Sequence, residues 1–115
     1  MNIESVMKAK ELMEAQKKAK EATALALTLE CESQFAECRA VLKELQPQLK
    51  MNRLEIGGSG FSYRPHETLS HYVAYAITPC DGKIAYRISH GFADSKYLTK
   101  EEFFDEVTKL LASYL

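Results

Sequence analysis

From Leu12 onward, apolar positions recur at alternating steps of three and four: Leu12, Ala15, Ala19, Ala22, Ala26 and Leu29. That is the spacing of a coiled-coil seam. A second seam, Cys31, Phe35, Cys38, Leu42, Leu45 and Leu49, keeps the heptad but is rotated from the first. The offset falls in residues 24–29, where Leu25, Leu27 and Leu29 alternate with Ala and Thr. Three readings fit this junction: a continuous helix that changes the face it buries, a bend, or a short buried strand.

Residues 2–46 contain no Gly or Pro and are rich in Ala, Leu, Glu, Lys and Gln, the residues that cost least in a helix. Asn2 suits an N-cap, with Glu4 favourable to the dipole in the first turn. Pro47 ends the helix near Gln46, because it offers no N–H and disfavours helix in the residue before it. A single helix of this span runs about 65–70 Å, longer than any globule the remaining residues can build. Residues 21–32 hold no turn residue apart from Thr, so a fold-back hairpin is disfavoured and pairing between chains is expected. The seam Leu12, Ala15, Ala19, Ala22, Ala26 and Leu29 is the predicted oligomer interface, of a homodimer or a higher assembly.

Beyond residue 50 the pattern changes to alternation. Residues 53–56 and 61–64 read as strands about a Gly57-Gly58-Ser59-Gly60 turn. After a loop over 65–70, residues 71–78 and 83–90 form the clearest pair, joined by Pro79-Cys80-Asp81-Gly82, which suits a type I turn with a glycine bulge. Residues 91–97 read as a second loop. Thr99-Lys100-Glu101-Glu102 is a capping box, followed by the stripe Phe103, Val107, Leu110, Leu111 and Tyr114 of a last helix. The predicted fold is α+β: a long N-terminal helix, an antiparallel sheet of three or four strands and a C-terminal helix. The expected division is an oligomerisation helix over 1–50 and a small sheet-and-helix unit over 51–115.

The central strands have two unlike faces. Val73, Tyr75, Ile77, Ile84, Tyr86 and Ile88 offer an apolar surface for the last helix. Tyr72, Ala74, Ala76 and Thr78 with Ala85, Arg87 and Ser89 make a face of small residues, unlike an ordinary solvated sheet face. The expected cover for it is the Ala-rich helix or a second subunit's sheet.

Charge adds little: 15 Lys+Arg stand against 16 Asp+Glu in 115 residues, so no global field draws the chain to nucleic acid or acidic lipid. No apolar run approaches membrane-spanning length and no export signal is evident, so a cytoplasmic protein without a membrane partner is expected. Three Cys without close spacing fit a reducing compartment better than a disulfide framework.

No stretch spells out a reaction. His66 and His71 are five apart, one too many for the zinc-protease helix motif, so no metal site is assigned. The Gly57–Gly60 turn lacks the Gly-Lys-Ser/Thr ending of a phosphate loop, and Phe61 stands where a nucleophile elbow needs its last Gly. Cys31 and Cys38 read as small core residues, and no neighbouring His or Asp spacing marks Cys80 as a nucleophile. No catalytic residue and no cofactor is therefore assigned. Lys8, Lys10, Lys17, Lys18 and Lys20 would meet phosphates in a nucleic-acid complex, with Tyr63 or Tyr72 stacking on bases, but a solvated helix face explains them better. Arg64, His71, Tyr72, Tyr86, Arg87 and His90 are the side chains best suited to line a ligand pocket at a sheet edge or between subunits.

The leading expectation is a non-enzymatic, oligomeric interaction protein: a small regulator, adaptor or inhibitor that binds a larger protein. The second is a protein that binds or sequesters a nucleotide or phosphorylated metabolite between subunits. Nucleic-acid binding through the first helix comes third.

Overall fold

The structure, a computed structural model, describes residues 1–65, 71–91 and 95–115. His66 therefore lies outside the described residues, as do the rest of 66–70 and residues 92–94.

Helix α1 (Ile3–Leu45) is continuous over 43 residues. Asn2 caps it, its side-chain oxygen accepting from the Ser5 N–H at 2.8 Å. The junction between the two seams stays helical, and Thr23 and Thr28 there donate to the carbonyls of Ala19 and Ala24, each at 3.0 Å. The bend and the strand both drop out, and the helix changes the face it buries. Gln46 is the C-cap, directly before Pro47.

Five strands follow, β1 (Asn52–Ile56), β2 (Gly60–Arg64), β3 (Val73–Cys80), β4 (Lys83–His90) and β5 (Lys96–Leu98), then helix α2 (Lys100–Ser113). They form one sheet in chain order, antiparallel throughout. The fifth strand lies within the segment read as a loop. It is only three residues long, too short to carry an alternation, and is defined by pairing Arg87↔Tyr97 and Ile88↔Lys96. The β3–β4 turn also differs from expectation. Both strands run on until Cys80 pairs with Lys83, leaving a two-residue turn with Asp81 at φ 49° and Gly82 at φ 76°. Two positive φ angles make this a type I′ turn, whose twist matches the flanking strands and which Asp-Gly favours.

The capping box of α2 forms as its sequence requires: Glu102 N–H donates to Thr99 Oγ1 at 3.2 Å, and Thr99 N–H to Glu102 Oε1 at 3.3 Å.

Both helices pack on the same face of the sheet. Phe61, Tyr63, Val73, Tyr75, Ile77 and Ile88 are buried there under Cys31, Phe35 and Leu42 of α1 and Phe103, Val107 and Leu111 of α2. Phe61 stacks on Tyr75 with ring centroids 5.1 Å apart, Phe35 lies 6.4 Å from Phe61, and Phe103 lies 6.1 Å from Tyr75. The expectation that the last helix alone covers this face is thus corrected. Five strands about 4.8 Å apart make a sheet roughly 20–24 Å wide, which takes two helices of about 10 Å side by side. Neither helix packs over the small-residue face. The Ala-rich part of α1 does not cover it, because α1 approaches from the other side and its Ala seam turns away from the sheet.

The molecule measures 68 × 29 × 24 Å, the long dimension being that of α1. Every residue from 1 to 26 is exposed, Leu27 is half-buried, and the first buried residue is Cys31. The C-terminal third of α1 belongs to the core, and the rest projects from it.

Two substitutions test this packing. Phe35→Ala removes a ring with no exposed surface, and chemical unfolding should show a loss of about 3–5 kcal/mol. Gly60→Ala would place a Cβ 2.4 Å from the Tyr75 carbonyl oxygen and 2.9 Å from Ala76 Cα. The same assay should show destabilisation of about 2 kcal/mol or more, because backbone rather than a movable side chain blocks the methyl.

Candidate functional site

The projecting part of α1 holds the first candidate surface. Leu12, Ala15, Ala19, Ala22, Ala26 and Leu29 are all exposed, with Leu12 at 61% and Leu29 at 55%. At about 100° per residue, the centre of this seam lies roughly 150° round the helix from the stripe that meets the sheet. The six positions thus form one exposed strip turned away from the sheet, with Ala19 at its edge bordering a hollow under the Pro79–Gly82 turn. Ile3, Val6, Met7, Met13 and Leu25 add further exposed apolar surface outside the strip. The five lysines, by the same count, are spread around the helix instead of forming a stripe.

The second candidate surface is the open face of the sheet. Ser62, Ala74, Ala76, Thr78, Ala85 and Ser89 give it a floor of half-buried small residues. Arg87 stands in the middle, paired across the strands with Ala76 on one side and Tyr97 on the other. Its Nε is buried and has no hydrogen-bond partner among the described residues. Tyr97 is exposed, and nothing in the sequence pointed to it, because its strand was read as loop. Ser89 and Ser95 hydroxyls lie 3.0 Å apart beside it.

Among the described residues of the single chain, the six proposed ligand-lining residues do not line one pocket. Arg64 and Tyr72 come together at the β1–β2 side of the open face, in a depression of about 270 Å³ that Arg53, Glu55 and Ser62 also line. His71 immediately precedes Tyr72, while His90 is exposed at the end of β4 and pairs with Val73. Arg87 shares the open face but lies two strands from Arg64. Tyr86 is on the covered side, where its hydroxyl donates to Gln34 Oε1 of α1, so it serves the packing of helix on sheet. Tyr86 and Arg87 are adjacent, and adjacent strand residues point to opposite faces, as the alternation of this strand implies. Tyr63, the other candidate base-stacking ring, is buried and meets Tyr114 edge-on at 5.3 Å.

Two larger hollows among the described residues border the helices. One, about 360 Å³, lies between the helices and is lined by Gln34, Glu37, Cys38, Val41, Lys100 and Phe104 among others. The other, about 450 Å³ and widely open, separates the Pro79–Gly82 tip from α1 at Ala19–Leu27.

Titration behaviour follows burial. Burial pushes the Cys38 thiol up from 9.0 to about 11. Burial, assisted by neighbouring Glu30, also raises that of Cys31. The Tyr63 and Tyr75 hydroxyls are raised chiefly by burial, with smaller contributions from Tyr114 and, for Tyr75, Glu106. Tyr86 is raised by burial against the opposing effect of its Gln34 hydrogen bond. All three cysteines are free thiols, Cys31 buried and Cys80 exposed.

Among the described residues there is no group of three His, Cys, Asp or Glu able to hold a metal ion, and no helix long and apolar enough to cross a membrane. Comparison with protein-family models, curated proteins and solved structures returns no match.

Two solution experiments follow. At neutral pH an alkylating reagent should modify Cys80 first and Cys31 last, as peptide mass mapping over time would show; equal rates would contradict the packing of Cys31. In unfolding experiments at rising pH, stability should hold up to about pH 9 and then fall. Above that pH the unfolded chain loses the Cys38 proton, and above about pH 10 those of Tyr63, Tyr75 and Tyr86, while the folded chain retains them longer. Tyr63→Phe should make the fall above pH 10 shallower.

Proposed function

We propose that this chain is a non-enzymatic protein-interaction module in which α1 is the binding arm and the sheet with α2 is the head that anchors it. The observation that carries this reading is the exposure of every residue from 1 to 26, with Leu12, Leu25 and Leu29 among the apolar side chains left uncovered on the helix. Helices in proteins draw most of their stability from packing an apolar face, and residues 1–26 bury none in their own chain. A second polypeptide along the arm supplies that packing. The open sheet face, with its Ala floor and the rings of Tyr72 and Tyr97, is the head's own surface for a larger partner. Action as a regulator, adaptor or inhibitor belongs to this same reading.

Lysine cross-linking of the gently purified protein tests it. Lys8, Lys10, Lys17, Lys18 and Lys20 sit on the arm and are exposed. They should cross-link to another polypeptide, whether a second copy or an unlike chain, while links confined within one chain would contradict a binding arm.

A second reading rests on Arg64 and Tyr72 meeting in the depression of about 270 Å³. An Arg fork beside an aromatic ring suits a phosphate attached to a planar base. Calorimetry with nucleotides and phosphorylated metabolites should then give heat that Arg64→Ala abolishes. No heat at millimolar ligand would remove that class.

A further inference from the structure

The seam of α1 is close to palindromic. Read from either end it runs Leu, Ala, Ala, Ala, Ala, Leu, at Leu12, Ala15, Ala19, Ala22, Ala26 and Leu29. Two such helices laid antiparallel bring Leu12 level with Leu29 of a second copy, Ala15 with Ala26, and Ala19 with Ala22. Each large side chain then closes an end of the seam, and the small ones let the two backbones approach between them.

Charge selects the same direction. Residues 8–20 carry five Lys and two Glu, a net of +3, while the residues level with them in this register, 21–33, carry three Glu and no basic residue, a net of −3. Parallel pairing would set like against like in both halves. Antiparallel pairing sets the positive half of each helix along the negative half of the other, and also opposes the two helix dipoles.

The geometry leaves room for this. The seam points roughly 150° away from the sheet-facing stripe, so the sheet of each head lies on the far side of its own helix from the partner, the Pro79–Gly82 tip reaching only the edge of the seam at Ala19. In the same register Ile3 is level with Cys38, giving an overlap of about 54 Å at 1.5 Å per residue. A strip about 10 Å wide on each helix over that length removes roughly 1,100 Å² in total, which reaches the roughly 1,000 Å² at which specific interfaces begin.

We infer that the arm's partner is a second copy of this chain, paired antiparallel through Leu12, Ala15, Ala19, Ala22, Ala26 and Leu29. The inference rests on the reading of α1 as a binding arm and names its occupant. The heads then stand at opposite ends of a shared two-helix rod.

Sedimentation of the full chain at tens of micromolar, combined with a spin-label distance, tests it. The label is placed at Ser5→Cys in a chain whose exposed Cys80 is changed to Ser. The expected result is a dimer with labels about 45 Å apart, since Ser5 of one copy lies about 31 residues along the rod from Ser5 of the other. A dimer with labels within about 15 Å is parallel and overturns the inference. A monomer overturns it as well, and arm cross-links to an unlike chain would then keep the binding-arm reading while discarding the second copy. The double variant Ala19→Glu, Ala22→Glu should weaken association by about 100-fold or more, as four carboxylates would be forced into the seam. Both positions are exposed in the single chain, so the unfolding midpoint of the head at low concentration should not move. Unchanged association of this variant would place the interface elsewhere and overturn the inference.

Discussion

The contact on which the rest depends is the seating of Phe35 against Phe61, continued through Tyr75 to Phe103. It joins the long helix, the two strands at the heart of the sheet and the last helix in one run of rings. Phe35 and Phe103 have no exposed surface, so neither ring can be lost without opening a cavity in the core. Phe35 also fixes the rotation of α1 about its own axis. A helix transmits that rotation along its length, so one buried ring decides which side of the projecting part meets solvent. The direction of the exposed seam is a consequence of core packing at Phe35, six residues beyond its last position, Leu29.

That dependence explains which features could be read in the sequence. Helix α1 was legible from end to end because Asn2, the absence of Gly and Pro, and Pro47 are all local signals. The capping box at Thr99 and Glu102 and the long strand Lys83–His90 were legible for the same reason. Alternation also separated the sheet's two faces correctly. It could not show which helices would cover which face, because that depends on the sheet's width, and the three residues of β5 leave no periodic trace. The turn at Asp81-Gly82 was misjudged because the strands run on through Pro79 to Cys80, and only pairing reveals that.

The candidate ligand residues share chemical type but not a face: Tyr86 falls on the apolar side with Ile84 and Ile88, and Arg87 on the other. Arg64 and Tyr72 proved to be neighbours, whereas Tyr86 was claimed by Gln34 on the covered side. Tyr97 was missed for the converse reason, an aromatic ring on a strand whose existence was not apparent. The seam fared differently: its six positions are on one helix, so their common face follows from spacing alone. What surrounds that face was not contained in the spacing.

Core and arm are energetically separable on this architecture. The head closes its own core with residues from Cys31 onward, and the arm adds surface without contributing a buried side chain. Loss of helical order along the arm would fray a helix, not unfold a domain.

The unbroken run without Gly or Pro gives this chain an adjustable length. Inserting or deleting seven residues between Glu14 and Ala24 shifts the far end by about 10 Å and turns it by only about 20°. The seam would stay on nearly the same side, and Phe35 would still seat against Phe61. Reach can therefore vary over evolutionary time in heptad steps while the globular part remains constant, much as a ruler is cut to size without altering its scale.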